Sequence, residues 1–222
     1  MFKFAKKWKD IEPAFEISLR KNVSRKNAFH LEFPENKPFV IQLPRAKIVS
    51  NGLVSTYKNE LKYVDIEISN KNVCKFISEI EKKIISILCN RGDLFFDGVE
   101  SGKKLDLFAV QDMFKYSLTW NNVLRLRVDL NQCQLFDSSG VKIEDLERVR
   151  TSDEVVCLIY SDYVKITNGI VKINWYLCQM KINKVISDCV IDDSDDNEVD
   201  EKNERGSESS DDYEKYGRFG FD

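Results

Sequence analysis

The chain is short of the residues on which most enzymes are built. Its 222 residues include one histidine, four prolines and nine glycines. The single histidine, His30, lies between Phe29 and Leu31, so a metal or acid-base site that depends on imidazole would rest on one side chain that reads as a strand residue. No glycine-rich phosphate loop is present, and the serines and cysteines lack the neighbours of a nucleophilic site. Cysteines 74, 89, 133, 157, 178 and 189 are scattered through apolar stretches without a close pair. They read as buried thiols of a reducing compartment, and neither a zinc site nor a disulfide framework follows from them. No apolar run approaches the twenty or so residues of a membrane span, and MFKFAKKWKD has no signal-peptide core. The expectation is an intracellular protein without cofactor or metal.

Charge is present in quantity and unevenly placed. Asp192 to Asp222 carry thirteen acidic and four basic side chains, leaving 30 Lys and Arg against 24 Asp and Glu in the body. The formal charge of −3 is therefore +6 in the body and −9 in the tail. A basic body with a tethered polyanion suggests a ligand that is itself a polyanion, nucleic acid first, with the tail able to occupy the same groove. The acidic run has too few apolar residues to fold and reads as disordered, so the domains expected are 1–190 and a tail, 191–222. An acidic run can also serve solubility alone. The ending DDYEKYGRFGFD differs, since Tyr213, Tyr216, Phe219 and Phe221 have no core to join and suit the docking of a partner.

Through the body the hydrophobic period is mostly two, which predicts strands over Phe39 to Val49 and Tyr63 to Ser69, with a turn signal at Asn51-Gly52. Val73, Phe76, Ile77, Ile80, Ile84, Ile87 and Leu88 predict one long helix, capped by Asn70 or Asn72 and stopped at Asn90-Arg91-Gly92. Asp93 to Thr119 reads as loop-rich, with a hairpin or short helix. Strands resume at Val123 to Leu130, where Arg125 and Arg127 share one face, and at Cys133 to Phe136, which ends in the turn Asp137 to Gly140. Glu154 to Thr167 and Ile170 to Ile182 form a hairpin about Asn168-Gly169. The fold class expected is mainly β with one long helix, an OB-like barrel; an open α+β sheet gives much the same pattern.

The stretches VLRLRVDLNQCQLFDSSG and VVCLIYSDYVKITNGIVKINWYLCQMKI, with Asn168-Gly169 followed by Trp175 and Gln179, resemble the core of the single-stranded DNA-binding proteins of large DNA viruses. The resemblance spans roughly Val123 to Lys181 and the tail, whose acidic run and terminal aromatic are also similar in layout to certain podophage proteins. Met1 to Thr119 resembles nothing specific. Relatives often have a second glycine before the tryptophan strand, where this chain has Ile170-Val171-Lys172. The resemblance implies an OB-fold, no enzymatic activity, binding of single-stranded DNA without sequence reading in viral replication or recombination, and replication partners such as a polymerase or helicase held by the tail. It would place the protein in host cytoplasm, at a virus factory, or in the nucleus.

Such binding needs cations for phosphates and aromatic faces for bases. Arg125, Arg127, Lys165, Lys172 and Lys181 are the phosphate candidates; Tyr160, Tyr163 and Tyr176 are those for stacking, followed by Trp120 and Phe136. Trp175 shares its face with Val171, Ile173 and Leu177 and reads as core. Lys21, Arg25 and Lys26 form a basic cluster in a surface loop, and the aromatic and basic FKFAKKWK reads as a strand edge or lead-in. Two other classes are open at this stage: an interaction module for scaffolding or transcription that uses the tail, and a carboxylate-metal nuclease built on Asp93, Asp97 and Asp106. A homo-oligomer is compatible with all of these.

Overall fold

A computed structural model describes residues 6–11, 15–25, 27–33, 37–56, 59–96, 98–145 and 148–184. The chain divides between Ile186 and Ser187, and the second unit, Ser187–Asp222, lies outside the described residues together with every aromatic of the tail. In chain order the first unit contains β1 (Lys6–Lys7), a 3-10 turn (Trp8–Asp10), β2 (Ser18–Lys21), β3 (Ala28–Phe33), β4 (Lys37–Ile48), β5 (Val54–Thr56) and β6 (Asn59–Glu67). Three helices follow, α1 (Lys71–Asn90), α2 (Gly92–Phe95) and α3 (Leu107–Met113). The remaining strands are β7 (Phe114–Lys115), β8 (Val123–Val128), β9 (Gln134–Phe136), β10 (Lys142–Ile143), β11 (Glu154–Thr167) and β12 (Ile170–Lys184).

Five of the strands close into a ring. β4 pairs antiparallel with β6, β6 with β8, and β11 with both β4 and β12, while β8 runs parallel to β12 and completes the circuit. Numbered one to five along the chain, the ring strands follow one another in space as one, two, three, five, four. β12 is long enough to serve three partners on its second edge: β7 at Val171 and Lys172, β8 at Tyr176 and Leu177, and β9 from Gln179 to Lys181. β11 likewise carries β4 along one part of its length and β3 along the next, so the β2–β3 hairpin stands beside the barrel wall.

The alternation in sequence fixes which side of each strand turns inward. Val64, Ile66, Leu124, Leu126, Val128, Val155, Ile159, Trp175 and Leu177 are buried in one continuous core. A one-residue slip would expose this whole set, so the pattern specifies register strongly. α1 adds Val73, Ile77, Ile80, Ile84, Ile85 and Leu88 to the same core. Asn70 caps it, accepting from the backbone N–H groups of Asn72 and Val73 at 3.0 and 3.4 Å. The helix stops at Asn90, where a new turn begins at Gly92.

Three expectations change. The loop-rich region with its hairpin or short helix, Asp93 to Thr119, holds two short helices, α2 and α3, and the strand β7, because its apolar residues, Val110 and Phe114 among them, are recruited to the core. The strand from Val123 ends at Val128, since Asp129 turns the chain by accepting from the N–H of Asn131 and the side-chain amide of Gln132. Asn174, on the lysine side of β12 by alternation, is buried, and its amide nitrogen makes no hydrogen bond. It lies opposite the irregularity that β11 makes between Ser161 and Val164.

Candidate nucleic-acid interface

The outer faces of the barrel strands bring cations and aromatic rings together. On β8, Arg125 and Arg127 point away from the core because Leu124, Leu126 and Val128 point into it. In register on β6, Tyr63 lies opposite Arg127 and Asp65 opposite Arg125. On the other side of β8, Tyr176 of β12 is in register with Arg127, whose guanidinium carbon lies 5.9 Å from the centre of the Tyr176 ring. Tyr160 of β11 stacks on Tyr176 with centroids 5.1 Å apart and planes 23° from parallel. The Tyr163 and Tyr176 hydroxyls are 3.2 Å apart, and Arg25, from the tip of the β2–β3 hairpin, lies 5.1 Å above the Tyr163 ring.

These contacts form a belt that crosses the strands. It runs from Tyr63 and Arg125 through Arg127, Tyr176, Tyr160 and Tyr163 to Arg25, spanning β6, β8, β12, β11 and the hairpin beside them. With strands about 4.8 Å apart it is roughly 19 Å long. Lys172 flanks it and is in register with Lys165 of β11 and Lys115 of β7. Burial lowers the Lys172 pKa, and the positive charges of Arg127, Lys165 and Lys115 lower it further. Four cations thus converge, and among the described residues none of them is paired with a carboxylate. An anion placed among them would relieve that repulsion. The Tyr176 hydroxyl is pushed up to about 12, by burial first and then by its hydrogen bond with Tyr163, while Arg127 acts in the opposite sense. The ring is therefore neutral near pH 7 and adds no charge against a phosphate.

Among the residues singled out from sequence, Arg127, Tyr160, Tyr163, Lys165, Lys172 and Tyr176 are brought together, with Arg125 at one end. Tyr163 is buried, covered by Arg25 and Tyr176, so it buttresses the stack instead of offering a free face. Arg125 is engaged by Asp65 through two charge-assisted bonds of 2.7 Å, and that partner raises its pKa. Lys181 is exposed farther along β12, opposite Phe136, beyond the Gln179 amide that donates to Gln134 at 2.8 Å. Trp120 is 92% exposed in the turn before β8. Trp175 is core, its indole N–H donating to Ser117 Oγ at 2.8 Å. Tyr213, Tyr216, Phe219 and Phe221 lie outside the described residues.

Four participants were not marked by sequence reasoning as part of the site: Tyr63, Asp65, Lys115 and Arg25. The first two alternate on a strand that was recognised, so period two already placed them on its wet face. Arg25 was visible as part of a basic loop, but only the pairing of β3 with β11 carries that loop to Tyr163. Of the carboxylates considered for a nuclease, Asp106 accepts from the N–H of Ala109 as the cap of α3, and Asp93 accepts from Ser101 Oγ at 3.5 Å. Asp97 lies outside the described residues. Among those described, no three His, Cys, Asp or Glu side chains group as metal ligands, and no helix is long and apolar enough to cross a membrane.

No protein-family model matches the chain, and no curated protein matches it. Among solved structures it is similar to the single-stranded DNA-binding protein from bacteriophage Enc34, with 13% identity and a TM-score of 0.45 over 81% of this chain and 98% of that one. A second similar structure is that of the same phage protein in complex with single-stranded DNA, at 11% identity and a TM-score of 0.45, covering 78% and 97%. A third is gp2.5, the single-stranded DNA-binding protein encoded by bacteriophage T7, at 10% identity and a TM-score of 0.48, covering 73% and 98%. Superposition at this level carries no residue's role from one protein to another.

Proposed function

We propose that the barrel binds single-stranded DNA without reading its sequence, in the replication or recombination of a viral genome. The observation that carries this reading is the belt itself: stacked, partly exposed tyrosines beside four cations that have no carboxylate partner among the described residues. Bases stack on aromatic faces whatever their identity, each such contact being worth about 1 to 3 kcal/mol. Phosphates would neutralise Arg127, Lys165, Lys172 and Lys115. The ring order of one, two, three, five, four suits an OB barrel, in which strands two and three and the loops joining one to two and four to five face the nucleic acid. Here those strands are β6 and β8. The loops are the segment that includes β5 and the Asn168-Gly169 turn. The acidic tail competes with DNA for the belt, and its end, Tyr213, Tyr216, Phe219 and Phe221, docks replication partners such as a polymerase or helicase.

Fluorescence anisotropy with oligo-dT across a salt series tests the reading. Neutralising four phosphates on single strands gives a slope of log K against log salt near about −3, at roughly 0.7 per phosphate. Lys172→Ala should reduce that slope by about 0.7. Binding insensitive to salt, or tighter binding to duplex than to single strands, would overturn it.

A further inference from the structure

Arg125 is placed differently from the other cations of the belt. Its Nε and one Nη both donate to Asp65, at 2.7 Å each, which occupies one hydrogen-bonding edge of the guanidinium and neutralises its charge. Its guanidinium carbon lies 4.3 Å from the centre of the Tyr63 ring, so that ring supports it from below. The Asp65 side chain is only 17% exposed while that of Arg125 is 63% exposed. The carboxylate is thus tucked into the barrel wall and the guanidinium left open to solvent. A phosphate approaching this arginine would meet a charge already compensated and an anion beside it. The surface that remains available is planar, weakly hydrated and held in place by Asp65 and Tyr63.

We infer that Tyr63, Asp65 and Arg125 form a nucleobase subsite, in which the guanidinium plane, clamped by the carboxylate and backed by the tyrosine, stacks against a base instead of binding a phosphate. Guanidinium planes are established stacking partners for unpaired bases. The subsite spans β6 and β8 at one end of the belt, so that Arg125 is one strand from Tyr176 of β12 and two from Tyr160 of β11, about 5 and 10 Å at ordinary strand spacing. The two stacks would hold bases of different nucleotides of one strand, with Arg127 between them. This inference rests on the single-strand binding proposed above and deepens it.

The test compares Arg125→Lys and Arg125→Ala with the unaltered full chain on two ligands of equal length, oligo-dT and an oligomer of abasic sites with the same phosphates. Stacking predicts that both variants weaken oligo-dT binding by about 5- to 160-fold, the range that one stacked base represents. It also predicts that Arg125→Lys, which keeps a cation beside Asp65, retains the salt slope and changes affinity for the abasic oligomer less than twofold. A phosphate role predicts a different set of results: Arg125→Lys close to wild type, and Arg125→Ala with a slope shallower by about 0.7 and an equal loss on both ligands. That set overturns the subsite while leaving single-strand binding intact. If the unaltered protein binds neither ligand in a salt-dependent way, the functional reading fails as well. Arg125 is exposed, and thermal melts of both variants register any loss of folding.

Discussion

Trp175 and Glu81 show how much one polar group can decide inside an apolar wall. The indole N–H of Trp175 donates to Ser117 Oγ, and the Ser117 backbone N–H donates to the Glu81 carboxylate at 2.6 Å. Glu81 sits on the buried stripe of α1, so this short chain ties the helix and the segment after β7 to β12. Burial raises the Glu81 pKa, and the bonds from Ser117 only partly offset that. A carboxyl with a raised folded pKa contributes stability that is fully present below its unfolded value and lost as pH rises through the folded one. Glu81→Gln keeps an acceptor for the Ser117 N–H and removes the buried charge. We therefore expect it to unfold at the same or higher urea concentration than wild type at pH 7, with a flatter dependence of stability on pH above about pH 4. Glu81→Leu leaves the buried N–H without its acceptor and should lose about 1 to 3 kcal/mol, measured by the same unfolding curves. The helical period does place Glu81 on the apolar stripe, between Ile77 and Ile84; what local sequence does not show is the Ser117 N–H that meets its carboxylate there.

Turns set the register of the elements, and two glycines in similar conformations have different reasons to be there. Gly169, at φ +74°, follows Asn168 at φ +52° in the two-residue connection of β11 and β12. A Cβ at Gly169 would meet nothing within 4 Å. Gly52 has φ +64°, but a Cβ there would come within 2.6 Å of the backbone oxygen of Val149. Alanine at 169 should lower stability by about 1 kcal/mol, the conformational term alone, whereas alanine at 52 adds a clash with backbone and should lower it by roughly 2 to 4 kcal/mol. Chemical denaturation of the two variants side by side checks the difference. Both turns were legible as Asn-Gly pairs. That one of them is pressed against a segment almost a hundred residues later was not, because local sequence carries the dihedral preference but no record of the distant neighbour. The short elements α2, α3 and β7 were legible only as a hairpin or short helix without bounds, because their apolar residues are too few for a period and gain their order from the barrel.

Across the whole molecule, opposite charges are assigned to separate units, a basic first unit and an acidic tail. If the tail competes for the belt, its tether keeps it at an effective concentration on the order of millimolar, enough for weak contacts to matter. Deleting 192–222 should tighten oligo-dT binding, most at low salt, where screening is least. Titrations of the full and shortened chains at two salt concentrations measure this, and unchanged or weaker binding would remove the tail as a competitor. By itself the sequence determined the charge division, the long helix, the main strands with their inward faces and the terminal hairpin, because period and turn chemistry are local properties. It also placed Arg125 and Arg127 side by side, since residues two apart on a strand share a face whatever surrounds them. Only the tertiary structure decided that five strands close into a ring and that β7, β8 and β9 share one edge of β12. Ring closure set Tyr176 between Arg127 and Tyr160, the pairing of β3 with β11 carried Arg25 to Tyr163, and that of β6 with β8 gave Arg125 to Asp65. The physical reason is that strand pairing joins residues as far apart in the chain as Ala28 and Lys165, which brings the loop bearing Arg25 to Tyr163, and no local pattern encodes which edges will meet.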